Sequence, residues 1–448
     1  MKKTNLNGKK AIRLLAVAML MLLPVLQTGA QQNILLETEA RRLLEHFINR
    51  ETEDVRGMLT EEVNAMIPEG QLKEIANGVE AQLGSFEYVD RVVFDTAGDY
   101  EIVVLVCKFE NMEMGFRVVF NPENRVAGFQ FVPAPATSFA PPPDYSDSTL
   151  FTETEIEIDC GSITLPGMVT MPHKRQNVPV VVLVHGSGPH DADETIGPNK
   201  PFRDLAWGLA SRGIAVLRYE KRTLKHGGTF DRNNFTIWDE TGNDALAAVA
   251  AAREIPGADP GSIYLLGHSL GGMLAPAIAS RDPDIAGIII MAGNSRPLQY
   301  LVPEQYEYLM SLHGELTDQH QNALEELREQ VRAISENRLE GLTYRETLLN
   351  LPPAYWVDLN SYNQGAMAAG LTQRILVLQG ERDYQVTMED FAGWQKALEG
   401  HPGAKLISYP ALNHLMMEGE GAPNPAEYFE KNNVYQGVIE DIASWIGD

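Results

Sequence analysis

The chain is 448 residues long, with 44% hydrophobic and 22% charged residues, the composition of an ordinary water-soluble globular protein that is too long for one core. Its 61 acidic against 36 basic residues leave a formal charge of −25, which argues against nucleic acid or an anionic membrane surface as a partner. Two cysteines, Cys107 and Cys160, cannot make a zinc site alone, and they are expected to be free and buried, with a bridge between them as the alternative.

In chain order, Lys2, Lys3, Lys9, Lys10 and Arg13 precede an apolar run from Leu14 to Leu26, and Thr28-Gly29-Ala30 follows with small residues. This is the pattern of an export signal over residues 1–30, cleaved after Ala30. The mature protein is then expected in the periplasm or outside the cell, without a membrane anchor; an uncleaved N-terminal anchor is the alternative. Residues 32–83 have helical periodicity, with Leu36, Ala40, Leu43, Leu44 and Phe47 on one face. Strand patterns follow at Tyr88–Phe94, Tyr100–Phe109, Met112–Phe120 and Val126–Val132, separated by turn residues. Residues 31–132 therefore read as a small α+β domain, with Glu45, His46 and Glu51 as solvated surface. A proline-rich segment over 133–148 reads as an extended linker.

From 149 to 448 strands and helices alternate. Apolar strands are expected at Val180–Val184, Ile214–Arg218, Ile263–Leu266, Ala286–Met291, Ile375–Leu378 and Lys405–Ser408. Helices are expected at Phe202–Ser211, Gly242–Glu254, Leu270–Ser280, Met388–Glu399 and Val434–Ile446. This predicts an α/β fold, a doubly wound and mostly parallel sheet. A charged helical insertion at about 297–370 reads as a cap over the C-terminal strand ends.

Gly267-His268-Ser269-Leu270-Gly271 lies between a strand and a helix of small residues, the form of a nucleophile elbow. Gly267 and Gly271 leave room for the tight turn, and Ser269 is the expected nucleophile. In such sheets the acid and the base follow in that order. Asp383, in Gly380-Glu381-Arg382-Asp383 past a strand end, is preferred over Glu381 as the acid, and His414 over His401 as the base. The oxyanion donors are expected to be the N–H of Leu270 and that of Ser187, with Gly188 as the alternative to Ser187. His185 and His268 read as loop-fixing side chains, with a place for His268 in the substrate pocket. Arg218, Tyr219, Tyr355 and Trp356 are further pocket candidates, against structural ion pairing for the arginine and cap packing for Tyr355 and Trp356. His190-Asp191-Ala192-Asp193-Glu194 reads as a solvated acidic loop bracing the oxyanion strand, and no metal is expected.

The stretch 150–448 resembles the α/β-hydrolases. With the first domain it resembles exported bacterial serine esterases that carry a small N-terminal domain of cystatin-like or NTF2-like shape. The resemblance rests on His185-Gly-Ser-Gly-Pro189, Asp193-Glu194-Thr195, Gly197-Pro-Asn-Lys-Pro201, Arg218-Tyr-Glu-Lys-Arg222, Gly267-His-Ser-Leu-Gly-Gly272, Gly380-Glu-Arg-Asp383 and Asn413-His414. It implies a carboxylesterase acting on a small-molecule ester with a short acyl chain, and no cofactor. Glu220 departs from the aspartate usual after the Arg-Tyr pair. A peptidase, amidase or thioesterase would use the same triad. A peptidase would want an acidic pair near the cap, for which Glu304, Glu307 and Asp358 are candidates. A binding protein on an inactive hydrolase scaffold is the reading from another class. The first domain is left with three roles: shaping the pocket, forming a homodimer, or binding a carbohydrate or peptide.

Overall fold

A computed structural model describes residues 29–448, apart from 69, 135–138, 174–175, 227–229, 232, 313–315, 317, 343–347 and 350. The expected export signal lies almost wholly outside the described residues, as do parts of the linker and of the cap. No helix among the described residues is long and apolar enough to cross a membrane.

The first sheet is an antiparallel meander of β1 (Phe86–Ala97), β2 (Tyr100–Phe109), β3 (Glu113–Phe120) and β4 (Val126–Pro133) in that spatial order. The helix Gly29–Ile48 buries Leu36, Ala40, Leu43, Leu44 and Phe47, spaced three and four apart, against Val103, Leu105, Phe109, Phe116 and Phe120. His46 is buried in this helix rather than solvated, and its Nδ1 lies 2.6 Å from Glu51 Oε2.

The second sheet has eight strands: β5 (Phe151–Asp159), β6 (Thr164–Pro172), β7 (Val178–Val184), β8 (Ala215–Tyr219), β9 (Ala258–His268), β10 (Gly287–Met291), β11 (Arg374–Gly380) and β12 (Ala404–Tyr409). Their spatial order is β12-β11-β10-β9-β7-β8-β6-β5, and β7 to β12 pair in parallel while β5 and β6 run antiparallel at one edge. Pro166 and Gly167 mask β6 in the sequence, because both residues ordinarily weaken a strand.

The continuous apolar runs follow from burial on both faces. Val180, Val182 and Val184 pack under the helices Asn243–Arg253 and Leu270–Arg281, whereas Val181 and Leu183 pack under Pro201–Ser211 and Gln436–Gly447. The chain leaves β7 toward β8 and returns to β9 on β7's other side. The strand order therefore reverses between β7 and β9, and the crevice at their C-terminal ends is the place where such sheets bind ligands. The helices Leu298–Ser311, Asp318–Ser335, Pro353–Asn360 and Gln364–Ala369 lie between β10 and β11 as the expected cap. The first domain meets the second sheet's loops at Lys225, whose Nζ lies 4.7 Å from the Tyr88 ring centroid. Cys107 and Cys160 are both free.

Candidate active site

β9 ends at His268, and Ser269 turns the chain into the helix Leu270–Arg281 with φ 52° and ψ −115°. A non-glycine residue in this region is strained and is held only when its surroundings over-determine it. Here they do. A Cβ on Gly267 would come within 2.2 Å of the Gly271 backbone, and one on Gly271 within 2.3 Å of Val184 O. Helix and strands therefore approach more closely than any side chain would allow. Gly186 of the loop after β7 also faces Ser269, since a Cβ there would lie 3.3 Å from Ser269 Cβ.

Asp383 follows β11 and is buried. Its Oδ1 accepts the N–H groups of Gln385 at 2.8 Å and Val386 at 3.0 Å, while Oδ2 lies 3.1 Å from Gln379 Nε2 and 2.6 Å from His414 Nδ1. The carboxylate is fully bonded and fixes the imidazole through Nδ1. The His414 loop after β12 is held by Asn413, whose Oδ1 accepts from Leu415 N at 3.0 Å and Met417 N at 3.2 Å. Glu381 points elsewhere, accepting from Ser408 Oγ at an exposed edge, and His401 bonds Leu371 O.

His268 joins the elbow to this loop. Its Nε2 lies 3.0 Å from His414 O, its ring centroid 4.8 Å from that of His414, and its Nδ1 2.9 Å from Glu194 Oε2. Glu194 Oε1 accepts the Gly186 N–H at 2.7 Å. Burial alone would raise the Glu194 carboxyl, but the His268 charge and hydrogen bond outweigh it and hold the group down at about 2. Burial would likewise lower His268, and the Glu194 charge raises it instead. His185, by contrast, is pushed down to about 3 by burial, and its Nε2 bonds Asp191 O at 2.9 Å.

The loop after β7 is pinned at nearly every polar backbone atom. Lys221 Nζ donates to Gly186 O at 2.6 Å, Gly188 N donates to Glu240 Oε1 at 3.3 Å, Thr223 Oγ1 donates to Gly188 O at 3.1 Å, and His190 Nε2 donates to Ser187 O at 2.8 Å. Among the described residues the Ser187 N–H has no protein partner. Leu270 opens its helix, where an N–H has no acceptor inside the helix.

Two pocket candidates take structural places instead. Arg218 is buried and binds Asp193 Oδ1 at 2.9 Å, Thr170 Oγ1 at 2.7 Å and Glu153 Oε1 at 2.7 Å, with no nitrogen left over for substrate. Tyr219 is buried with its ring edge-on to His185. Tyr355 and Trp356 are also buried: the Tyr355 hydroxyl donates to Glu240 Oε2 at 2.7 Å and Trp356 Nε1 to Leu348 O at 2.7 Å. The acidic loop at 190–194 is not solvated either, since Glu194 is wholly buried and Asp193 binds Arg218 and Lys200. Of the carboxylates considered for amine binding, Glu304 is engaged by Arg296 and Glu307 by Arg328, whereas Asp358 Oδ2 is buried without a hydrogen-bond partner among the described residues. The group whose atoms could share a metal among the described residues is His46, Glu51 and Asp54, in the first domain.

A family model described as "Alpha/beta hydrolase family" matches residues 181–430, more than half of the chain. The chain belongs to the α/β-hydrolase family. Residues 40–129 match a domain described as a protein of unknown function, DUF3887. This hydrolase is 36% identical to esterase EstD of Thermotoga maritima over 410 residues, 92% of this chain and 95% of that one. Among solved structures it is similar to Est1E of Butyrivibrio proteoclasticus at 18% identity and a TM-score of 0.42, covering 66% of this chain and 99% of that one. It is also similar to Porphyromonas gingivalis dipeptidyl peptidase 4 at 14% identity and a TM-score of 0.43, covering 80% of this hydrolase and 43% of that chain.

Sequence reasoning missed Glu240 and Gln379, and it read Glu194 as solvated where it is buried. Glu240 sits in a π-helical turn, Trp238–Gly242, just before a helix, and its partners lie 19 to 115 residues away. Nothing local to it carried a signal beyond the π-turn itself, a feature frequent at functional sites.

Proposed function

We propose that this hydrolase is a serine carboxylesterase acting on small-molecule esters with short acyl chains. Ser269 Oγ attacks the ester carbonyl carbon while His414 Nε2 takes its proton. The tetrahedral oxyanion rests on the N–H groups of Leu270 and Ser187. Gly188 is the weaker candidate because its N–H is turned to Glu240. The intermediate collapses, the alcohol leaves with the proton from His414, and an acyl-enzyme remains on Ser269. Water then attacks with His414 as base again, and the acid is released. Asp383 keeps the imidazole in the required tautomer.

One observation carries this reading. Four loops distant in the chain bring a strained serine, a carboxylate-bound imidazole and the Ser187 N–H, which has no protein acceptor among the described residues, to the C-terminal ends of strands of one sheet. The 36% identity to an esterase over nearly the whole chain supports the ester over other acyl substrates. Hydrolysis of p-nitrophenyl esters from acetate to decanoate by residues 31–448 tests it, beside Ser269→Ala. Turnover highest on the short chains, and lost in the variant, is expected. Turnover retained by Ser269→Ala would overturn the nucleophile. No turnover on any ester, with Ser269 still labelled by a fluorophosphonate, would overturn the ester preference.

The basic and apolar pattern of residues 1–26 supports export as part of this proposal. N-terminal sequencing of the protein from its native host should then begin at Gln31, and an intact Met1 in the mature protein would overturn it.

A further inference from the structure

The site contains a second buried imidazole–carboxylate pair that the triad chemistry does not use. His268 Nε2 faces the His414 carbonyl at 3.0 Å, and Nδ1 faces the Glu194 carboxylate at 2.9 Å. A backbone carbonyl only accepts hydrogen bonds, so Nε2 must carry a proton. Glu194 already accepts the Gly186 N–H through Oε1, and both acids and rings are wholly shielded from water. Nδ1 and Glu194 Oε2 meet at ion-pair distance without the alignment of a hydrogen bond. A buried carboxylate persists as a charge only beside an opposite one, which makes the ring an imidazolium.

We infer that His268 and Glu194 form a standing imidazolium–carboxylate pair that ties the elbow to the His414 loop and so positions this base beside Ser269. The inference rests on the triad reading given above. Its physical basis is geometric: the pair ties His268 of the elbow to the His414 carbonyl and, through Glu194, to Gly186 of the loop after β7. The groups facing the pair are His414 and Asp383 from the strand ends, and His185, His190 and Lys221 around the loop after β7. The raised His268 and the depressed Glu194 have the direction that the geometry requires. A second mark of function is in the backbone. Glu194, like Ser269, is held at positive φ, 51° against 52°, a conformation tolerated where surrounding structure enforces it. The carboxylate is thereby turned inward to reach Gly186 and His268 together. His268 and Glu194 are thus positioning residues.

Glu194→Gln tests this. The amide can still accept from Gly186 and donate to a neutral His268, so the hydrogen bonds survive and only the charges go. The expected result is kcat/KM lower by about tenfold. Its pH profile should lack the change that loss of the His268 proton gives wild type on the alkaline side. A profile superimposable on wild type, in a folded variant that still labels with fluorophosphonate, overturns the inference and leaves the triad standing. Loss of labelling in wild type would strike the triad instead. Nitrogen-15 NMR of histidine-labelled wild-type protein gives a measure that needs no variant. One ring should remain doubly protonated at pH 7.5, and finding none overturns the inference.

Discussion

Glu381 and Asp383, two residues apart past the end of β11, face different surroundings: Asp383 Oδ2 lies 2.6 Å from His414 Nδ1, while Glu381 Oε1 accepts from Ser408 Oγ at 2.8 Å on an exposed edge. Asp383→Asn should therefore lower kcat by about 10⁴-fold, through the wrong imidazole tautomer. Glu381→Gln should stay within roughly twofold, as exposed polar contacts usually do. Steady-state kinetics of the two variants on one ester decides between them. A larger loss in Glu381→Gln would identify the wrong acid.

Tyr355 reaches the loop after β7 through Glu240, which takes the Tyr355 hydroxyl on Oε2 and the Gly188 N–H and Lys221 on Oε1. Burial would raise the Glu240 carboxyl, but the Lys221 charge keeps it low and ionised. Tyr355→Phe removes one hydrogen bond to a buried charge, worth about 1.5–3 kcal/mol of stability. The variant should melt several degrees lower and lose kcat more than KM, with its acyl-length preference unchanged. A changed preference would instead make Tyr355 a pocket wall.

Arg218 is bonded to three partners and shielded from solvent. Arg218→Met should cost about 3–5 kcal/mol, because Glu153 loses its cation and Asp193 keeps only Lys200. KM of the surviving enzyme should be unchanged within about twofold, since the side chain does not meet substrate. Denaturant unfolding and steady-state kinetics give the two halves of the comparison. A raised KM without a stability loss would restore Arg218 to the pocket.

The Glu194–His268 pair also sets a pH dependence of stability. Glu194 is depressed from 4.5 to about 2, so its contribution is complete above 4.5 and is lost as pH falls toward 2. His268 is raised from 6.5, so its contribution is complete below 6.5 and is lost as pH rises through the higher folded value. The gap in melting temperature between wild type and Glu194→Gln should be widest between 4.5 and 6.5 and should narrow on both sides. A gap independent of pH would remove the charge from the account.

Much of this was legible in the chain. Apolar runs such as Val180–Val184 announced a sheet buried on both faces, because a strand covered by helices has no polar side to alternate with. The glycines around Ser269 announced the elbow, since only the smallest residues tolerate a backbone within 2.2 to 2.3 Å of their missing Cβ. The order of serine, acid and histidine followed from the order of the strands that carry them.

What the chain could not announce was the partnering of buried charge. Arg218, Glu240 and Glu194 are charged residues in loops and at strand ends, where sequence alone reads solvent or substrate. Folding brings each to partners dozens to over a hundred positions away, and a charge removed from water persists only where such partners meet it. The same closure turned the Gly188 N–H to Glu240 and left the Ser187 N–H without a protein acceptor among the described residues. Local pattern set the elements and the elbow. The low dielectric of the assembled interior, which punishes every unpaired charge, decided which side chains brace the site and which groups remain open to a substrate.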